Sequence, residues 1–265
     1  MAFKVQVGPP QISIHQGQTI LISELDGQIN WPTDKGLFFR DTRVVSNWSI
    51  YANGEPWTLL NGGALTYYAA RIFLTNRAFA TESGTVPERI LGLTIGRWIA
   101  GGVHEDIEIT NNSMKRVIFQ LEIAVRSDFA DLFEVKSNRI VRRGRIATEW
   151  SQPRQRLLTT YRNGDFHRAI ALSTARSSTK AAYAKGCLSF EVDLQPGERW
   201  HTCLLYTLED GAARFTPPRA CVDHSGKSPH GEVMAEWLQT VAKIQTSNEE
   251  FYRMFRRALE DMAAL

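Results

Sequence analysis

The chain has 265 residues, 43% hydrophobic and 22% charged, enough to bury a substantial core as one large all-β domain or two ordinary ones. No apolar run approaches the roughly 20 residues of a membrane-spanning helix, so a helical membrane protein is not expected. A formal net charge of +3 is too weak to argue for nucleic acid.

Met1-Ala2-Phe3-Lys4-Val5 lacks the basic and apolar regions of a signal peptide, which points to a cytoplasmic protein. Cys187, Cys203 and Cys221 form no CxxC pair and read as reduced thiols. There is no Ser/His/Asp nucleophile arrangement, no phosphate-cradling Gly loop and no Cys/His metal spacing. Neither a metal nor a cofactor is expected.

In chain order, short strands are expected at Phe3–Val7, Gln11–His15 and Thr19–Ser23, with a turn at Asp26-Gly27. Gly36-Leu37-Phe38-Phe39-Arg40-Asp41-Thr42-Arg43 then leads into a strand from Val44 to Tyr51 and a hairpin turn at Asn53-Gly54. Further β-runs cover Leu65–Leu74 and Arg89–Ile99. Val103–Thr110 and Met114–Arg126 flank Asn111-Asn112-Ser113, a second hairpin signal. From Arg116 to Arg126, apolar Val117, Phe119, Leu121, Ile123 and Val125 alternate with mostly polar residues, which puts one face of a strand on a core. Ile140–Arg145 reads as a basic hairpin turning at Arg143-Gly144, and strands follow at Arg156–Arg162, His167–Thr174, Leu188–Leu194 and Trp200–Leu208. Strands every 8–12 residues or so with turn chemistry between them indicate a mainly β protein, an antiparallel sandwich or barrel.

Composition shifts after Gly211, so the expected division is a β-sandwich domain over 1–211 and a connector with helices over 212–265. Ser228-Pro229 can start a helix. Val233, Trp237, Leu238, Val241 and Ile244 fall on one face of it. Ser247-x-x-Glu250 reads as a capping box. The helix after it carries Phe251, Met254, Phe255, Ala258, Leu259, Met262 and Leu265 at a spacing of three to four, a strongly amphipathic pattern. Such a helix folds back on the sheet, pairs with a second copy in a homodimer, or leads into a further domain.

Gly36–Arg43, the Asn111-Asn112 turn, Ser127-Asp128-Phe129-Ala130-Asp131-Leu132-Phe133-Glu134-Val135 and Leu194–Trp200 resemble the N-terminal domain of bacterial glycogen-debranching enzymes of the amylo-α-1,6-glucosidase type. The similarity runs over about residues 12–265. It implies a β-supersandwich followed by a helical (α/α)6 barrel that holds the catalytic carboxylates. No catalytic residue then maps onto this chain. The implied role is a non-catalytic domain that supports the barrel, in cis or in trans, and contacts α-glucan. The rivals are a free-standing carbohydrate-binding module and a homodimeric assembly protein.

Asp128, Asp131 and Glu134 could be weighed as a glycosidase pair, which needs carboxyls roughly 5–10 Å apart on both sides of a sugar. Acids on one turn face the same way, so they are expected instead to cap backbone N–H groups or to pair with Arg40, Arg43, Arg142 or Arg143. A calcium site is disfavoured for want of a Gly-centred ligand loop. Arg40, Asp41 and Arg43 read as a sugar-contacting or barrel-docking edge, or as an ion-paired rim. Among the aromatics, Trp31 and Trp57 are the expected exposed platforms for glucan rings, while Trp48 and Trp98 lie in core strands. His104-Glu105-Asp106 is expected at solvated surface, because strand neighbours point to opposite faces.

Overall fold

The computed structural model describes residues 10–82, 84–221 and 229–263. The expected strand at 3–7, the Ser228 helix start and Leu265 lie outside the described residues. Four strands, β1 (Gln11–Gln16), β2 (Thr19–Glu24), β3 (Gly36–Phe39) and β4 (Thr42–Val45), form a small antiparallel sheet in that order. Next come β5 (Asn47–Ala52), β6 (Glu55–Thr66) and β7 (Ala69–Asn76), a small hairpin of β8 (Phe79–Thr81) and β9 (Gly84–Val86), then β10 (Leu91–Ala100), β11 (Gly102–Asn111) and β12 (Val117–Arg126). A short helix α1 (Leu132–Ser137) precedes β13 (Arg145–Ser151), β14 (Arg156–Asn163), β15 (Phe166–Ala175), β16 (Ala182–Ala184), β17 (Cys187–Leu194), β18 (Arg199–Asp210) and β19 (Ala213–Phe215). Helices α2 (Pro229–Thr240) and α3 (Glu249–Ala263) close the described chain. The fold is mainly β, as expected.

The large strand path runs β13-β14-β15-β18-β11-β10-β7-β6-β5-β12-β17-β16. Its two arms are joined in the strand order at the β5–β6 hairpin, where Asn53 and Gly54 both take positive φ (47° and 80°), the backbone that a two-residue hairpin requires. Beyond that hairpin the arms face each other across one core. Ile50, Leu121, Ile123, Phe190 and Val192 of one layer pack with Ile72, Leu93, Ile95, Ile107 and Leu204 of the other. The alternation read in β12 buries Val117, Phe119, Leu121, Ile123 and Val125.

Several expectations shift. The strand read from Val44 to Tyr51 breaks at Ser46, whose N–H donates to Arg126 O at 2.8 Å, so β4 stays in the small sheet and β5 joins the large one. Asn111-Asn112 is not a hairpin: β11 pairs with β10 and β18, whereas β12 pairs with β5 and β17. The link crosses between layers. Asn111 is fully buried there, its amide donating to Lys115 O, Leu194 O and Gln195 O, so one side chain ties this crossover to the β17–β18 one. The 139–144 stretch is irregular rather than a hairpin. Strand β19 extends the sheet past Gly211. Helix α3 is capped by Asn248, not Ser247: Phe251 N–H donates to Asn248 Oδ1 at 3.0 Å.

Helix α3 folds back towards the small sheet, with His15 Nε2 3.8 Å from Asp261 Oδ1 and Leu259 buried. Phe251, Met254 and Met262 remain exposed along its length. No helix among the described residues is long and apolar enough to cross a membrane.

Candidate functional site

The structure brings the two charged motifs of the sequence to one corner. Strand β4 meets the segment after β12: Arg43 N–H donates to Ala130 O at 2.9 Å, and Leu132 N–H to Asp41 O at 2.9 Å. Arg43 is completely buried, and its guanidinium holds Asp128 with two bonds, Nε to Oδ1 at 3.2 Å and Nη2 to Oδ2 at 2.5 Å. Nη1 donates to the carbonyls of Thr33 at 2.6 Å and Lys35 at 3.2 Å. A planar fork with five donors suits this role, which lysine cannot fill. Gly36 makes room for it, since a Cβ there would stand 2.6 Å from Arg43 Cδ and from Val45 O.

Phe129 turns the chain with a φ of 52°, a conformation uncommon for a bulky residue, and its ring stacks on Tyr161 at 5.5 Å. Asp131 then caps α1, accepting from Phe133 N–H at 2.8 Å and Glu134 N–H at 2.9 Å, while Glu134 reaches back to the Asp131 N–H. This is a capping box. Arg143 Nη1 lies 2.7 Å from Glu134 Oε1. All three carboxylates are therefore spent on the chain's own arginines and amides. Beside them, Phe133 (80% exposed) and Val141 line an open groove of ≈ 620 Å³ whose rim carries Lys136, Arg139 and Arg143. Arg40 stands at the neighbouring edge, paired with Gln18 and, together with Arg168, with Asp210. Asp41 is exposed between the two groups.

The aromatic expectations divide. Trp31 is 55% exposed and lies over the Arg43 guanidinium at 5.7 Å. Trp57 is only 3% exposed, contrary to expectation: nearness to a turn does not decide exposure, and Trp57 sits on the inward face of β6. Trp48 and Trp98 are buried as expected.

His104 and Glu105 are also buried rather than solvated, at 0% and 2% exposure. Alternation does send them to opposite faces, but β11 is an inner strand covered on both. Inward, Glu105 accepts from Arg97 Nε at 2.6 Å and from Tyr206 Oη at 2.7 Å, and Trp48 Nε1 donates to Tyr206 Oη at 3.0 Å. Burial, then the Glu105 charge, pushes the Tyr206 phenol well above its ordinary value. Outward, His104 stacks on Trp98 at 4.1 Å and donates from Nδ1 to Pro218 O at 2.9 Å, since a carbonyl can only accept. Its Nε2 is buried without a partner, and burial lowers its pKa.

Next to His104 lies a cluster that sequence reading missed. Asp106 Oδ1 and His201 Nε2 are hydrogen-bonded. Cys203 Sγ and Cys221 Sγ are 3.2 Å apart and lie 3.8 and 3.9 Å from His201 Nε2. All four ligand atoms fall within 4.8 Å of one another. His201 Nδ1 donates to Arg176 O at 3.0 Å. The Asp106 hydrogen bond, followed by that of Cys203, raises the metal-free imidazole to about 11. Burial raises the Cys203 thiol. The one local signal was His201-x-Cys203, which puts both residues on the same face of β18.

Among solved structures, the fold is similar to a protein from the human microbiome assigned as a kojibiose phosphorylase, with a TM-score of 0.51 at 9% identity. That match covers 95% of this chain and 35% of the other, so the chain spans about a third of its length. A galactose mutarotase-like protein from Lactobacillus casei ATCC 334 matches with a TM-score of 0.44 at 10% identity, over 76% of this chain and 100% of that one. No curated protein sequence matches this chain. Residues 14–205 match the family model for the N-terminal domain of (some) glycogen debranching enzymes, and the chain belongs to that family.

Proposed function

We propose that this chain is the non-catalytic sandwich of a debranching-type α-1,6-glucosidase, acting in the cytoplasm, where it supports a helical catalytic barrel and contacts α-glucan at its acidic corner. The observation that carries the non-catalytic reading is the fate of the three carboxylates. Asp128 is bound by Arg43, Asp131 caps α1, and Glu134 lies between the Asp131 N–H and Arg143. Hydrolysis of a glycosidic bond needs two carboxyls on either side of the sugar, and these three share one turn.

The exposed stripe of Phe251, Met254 and Met262 on α3 supports barrel docking. The Trp31 ring, fixed above a buried guanidinium, suits stacking on a sugar face. Arg40, Asp41 and the groove beside Phe133 extend that edge.

The purified chain should release no glucose from limit dextrin. Turnover abolished by Asp128→Asn or Asp131→Asn would overturn the reading. In glycogen-loaded native gels the chain should be retarded, and Trp31→Ala should lessen the effect. Sedimentation as a tight dimer, dissociated by Met254→Glu, would favour self-association through α3 over a barrel.

A further inference from the structure

We propose that Asp106, His201, Cys203 and Cys221 form a closed, four-ligand site for a zinc(II) ion. Three of these residues are placed by sheet register alone. Asp106 and Cys203 are direct partners across β11 and β18, and His201 precedes Cys203 by two on the same face. Cys221 arrives from the connector, which lies over this face: His104 holds Pro218 O, and Gly102 leaves room for Pro217, whose Cδ would stand 2.6 Å from a Cβ there.

The distances suit a tetrahedron. Bonds of about 2.0–2.3 Å to N, O and S give ligand–ligand edges of about 3.3–3.8 Å. The Sγ–Sγ separation is 3.2 Å and the two Sγ–Nε2 separations are 3.8 and 3.9 Å. The Asp106–His201 pair, closed by a shared proton, and the sulfur pair, about half an ångström short of the roughly 3.8 Å edge between two thiolates, must both open slightly, and a metal ion displaces that proton.

The surroundings are those of a ligating histidine. The Arg176 carbonyl takes the His201 Nδ1–H at 3.0 Å, which fixes the ring with Nε2 turned towards Asp106 and the two sulfurs. Arg176 Nη1 lies 3.8 Å from Cys221 Sγ, so a cation is in place to offset the charge of two thiolates and a carboxylate. Two sulfurs and an imidazole select against magnesium and calcium, which take oxygen, and a mixed S₂NO set suits zinc. Four protein ligands leave no open position, so the ion is structural. It pins the connector to β11 and β18 just before the chain leaves towards α2.

The rival is a Cys203–Cys221 disulfide. The full chain, purified without a chelating tag and kept reduced, is loaded with Zn²⁺ or Co²⁺ and its metal content measured. Expected are one zinc per chain and, with cobalt, tetrahedral visible bands plus a thiolate-to-cobalt charge-transfer band. Cys221→Ser, on the connector and outside the core, should weaken zinc binding by on the order of 100-fold or more, as should His201→Gln. Cys187→Ser, on β17, should change nothing. Binding unaltered by Cys221→Ser, a cobalt spectrum without thiolate charge transfer, or a Cys203–Cys221 disulfide that persists in millimolar glutathione with no bound zinc would each overturn the proposal.

Discussion

Strands β11 and β18 carry polar clusters on both faces, and the two are built to opposite plans. Inward, Arg97, Glu105, Tyr206 and Trp48 form a closed network in which no buried polar side-chain atom lacks a partner. The Arg97 guanidinium also lies over the Trp48 ring at 4.4 Å. Outward, Asp106, His201, Cys203 and Cys221 gather a carboxylate oxygen, an imidazole nitrogen and two sulfurs within 4.8 Å of one another, joined by one short hydrogen bond, Asp106 to His201, and by long sulfur contacts. A network with all its donors matched holds a fold in one arrangement. A convergence of ligand atoms is suited to an ion, which displaces their protons. Residues one apart on the same strands thus serve different ends, and the contrast yields predictions of graded size.

The largest effect belongs to the inner face. Arg97→Ala strands the Glu105 carboxylate in the core, and breaking a buried pair this way costs about 3–5 kcal/mol. The denaturant midpoint should fall by that free energy divided by the slope, with the slope itself unchanged. Arg97→Met combined with Glu105→Leu should lose less than Arg97→Ala, because no charge is left unpaired. A double variant weaker than the single one would mean that the network itself, rather than the stranded charge, holds the two layers.

Tyr206→Phe is next, at about 1–3 kcal/mol, since Glu105 Oε2 and Trp48 Nε1 each lose a partner. It should also alter the pH profile. The native phenol keeps its proton at pH values where an unfolded tyrosine, near pH 10, releases it. Its contribution is present below about pH 10 and is lost as pH rises towards the higher folded value. Wild type should therefore destabilise more steeply above pH 10 than Tyr206→Phe, as followed by urea midpoints from pH 8 to 11. Parallel profiles would show that the phenol ionises as freely in the fold as outside it.

The acidic corner provides a surface standard between the two faces. Asp131→Ala removes the cap of α1 and should cost about 1 kcal/mol, while Asp131→Asn, which keeps an acceptor, should cost less. A loss as large as that of Arg97→Ala would place the corner with the closed inner network.

How legible these regions were follows from how local they are. The corner could be read because Asp128, Asp131 and Glu134 sit within seven residues among Phe129, Leu132 and Phe133, a pattern that demands a turn with satisfied acids. Pairing with Arg43 and Arg143 was within the expected set, although nothing local indicated that β4 would be the partner edge. The inner network and the outer cluster were illegible for one reason. Positions 97, 105 and 206, and likewise 106, 201 and 203, meet through the β10–β11–β18 register, and 221 joins the second group from the connector, so no window of sequence contains either cluster. His104-Glu105-Asp106 looked solvated because charge was read without knowing that both faces of β11 are covered. Asn111-Asn112 looked like a hairpin because turn chemistry reports a reversal, not the partner the next strand will find.

The smallest effect sharpens the contrast most. In reduced, chelator-treated protein Cys221→Ser should change stability by no more than about 0.5 kcal/mol. Cys221 is half-buried, and its sulfur lies 3.2–3.9 Å from polar atoms of Cys203, His201 and Arg176. Serine replaces it without opening the core. Zinc binds the folded clasp and not the separated ligands, so free zinc at 100 times its dissociation constant should stabilise wild type by about 2.7 kcal/mol, and the variant hardly at all. The two proteins should therefore melt together in chelator and apart in zinc. If Cys221→Ser already costs more than about 1 kcal/mol in chelator, its sulfur is packing as core, and the two faces of β11 and β18 share one plan after all.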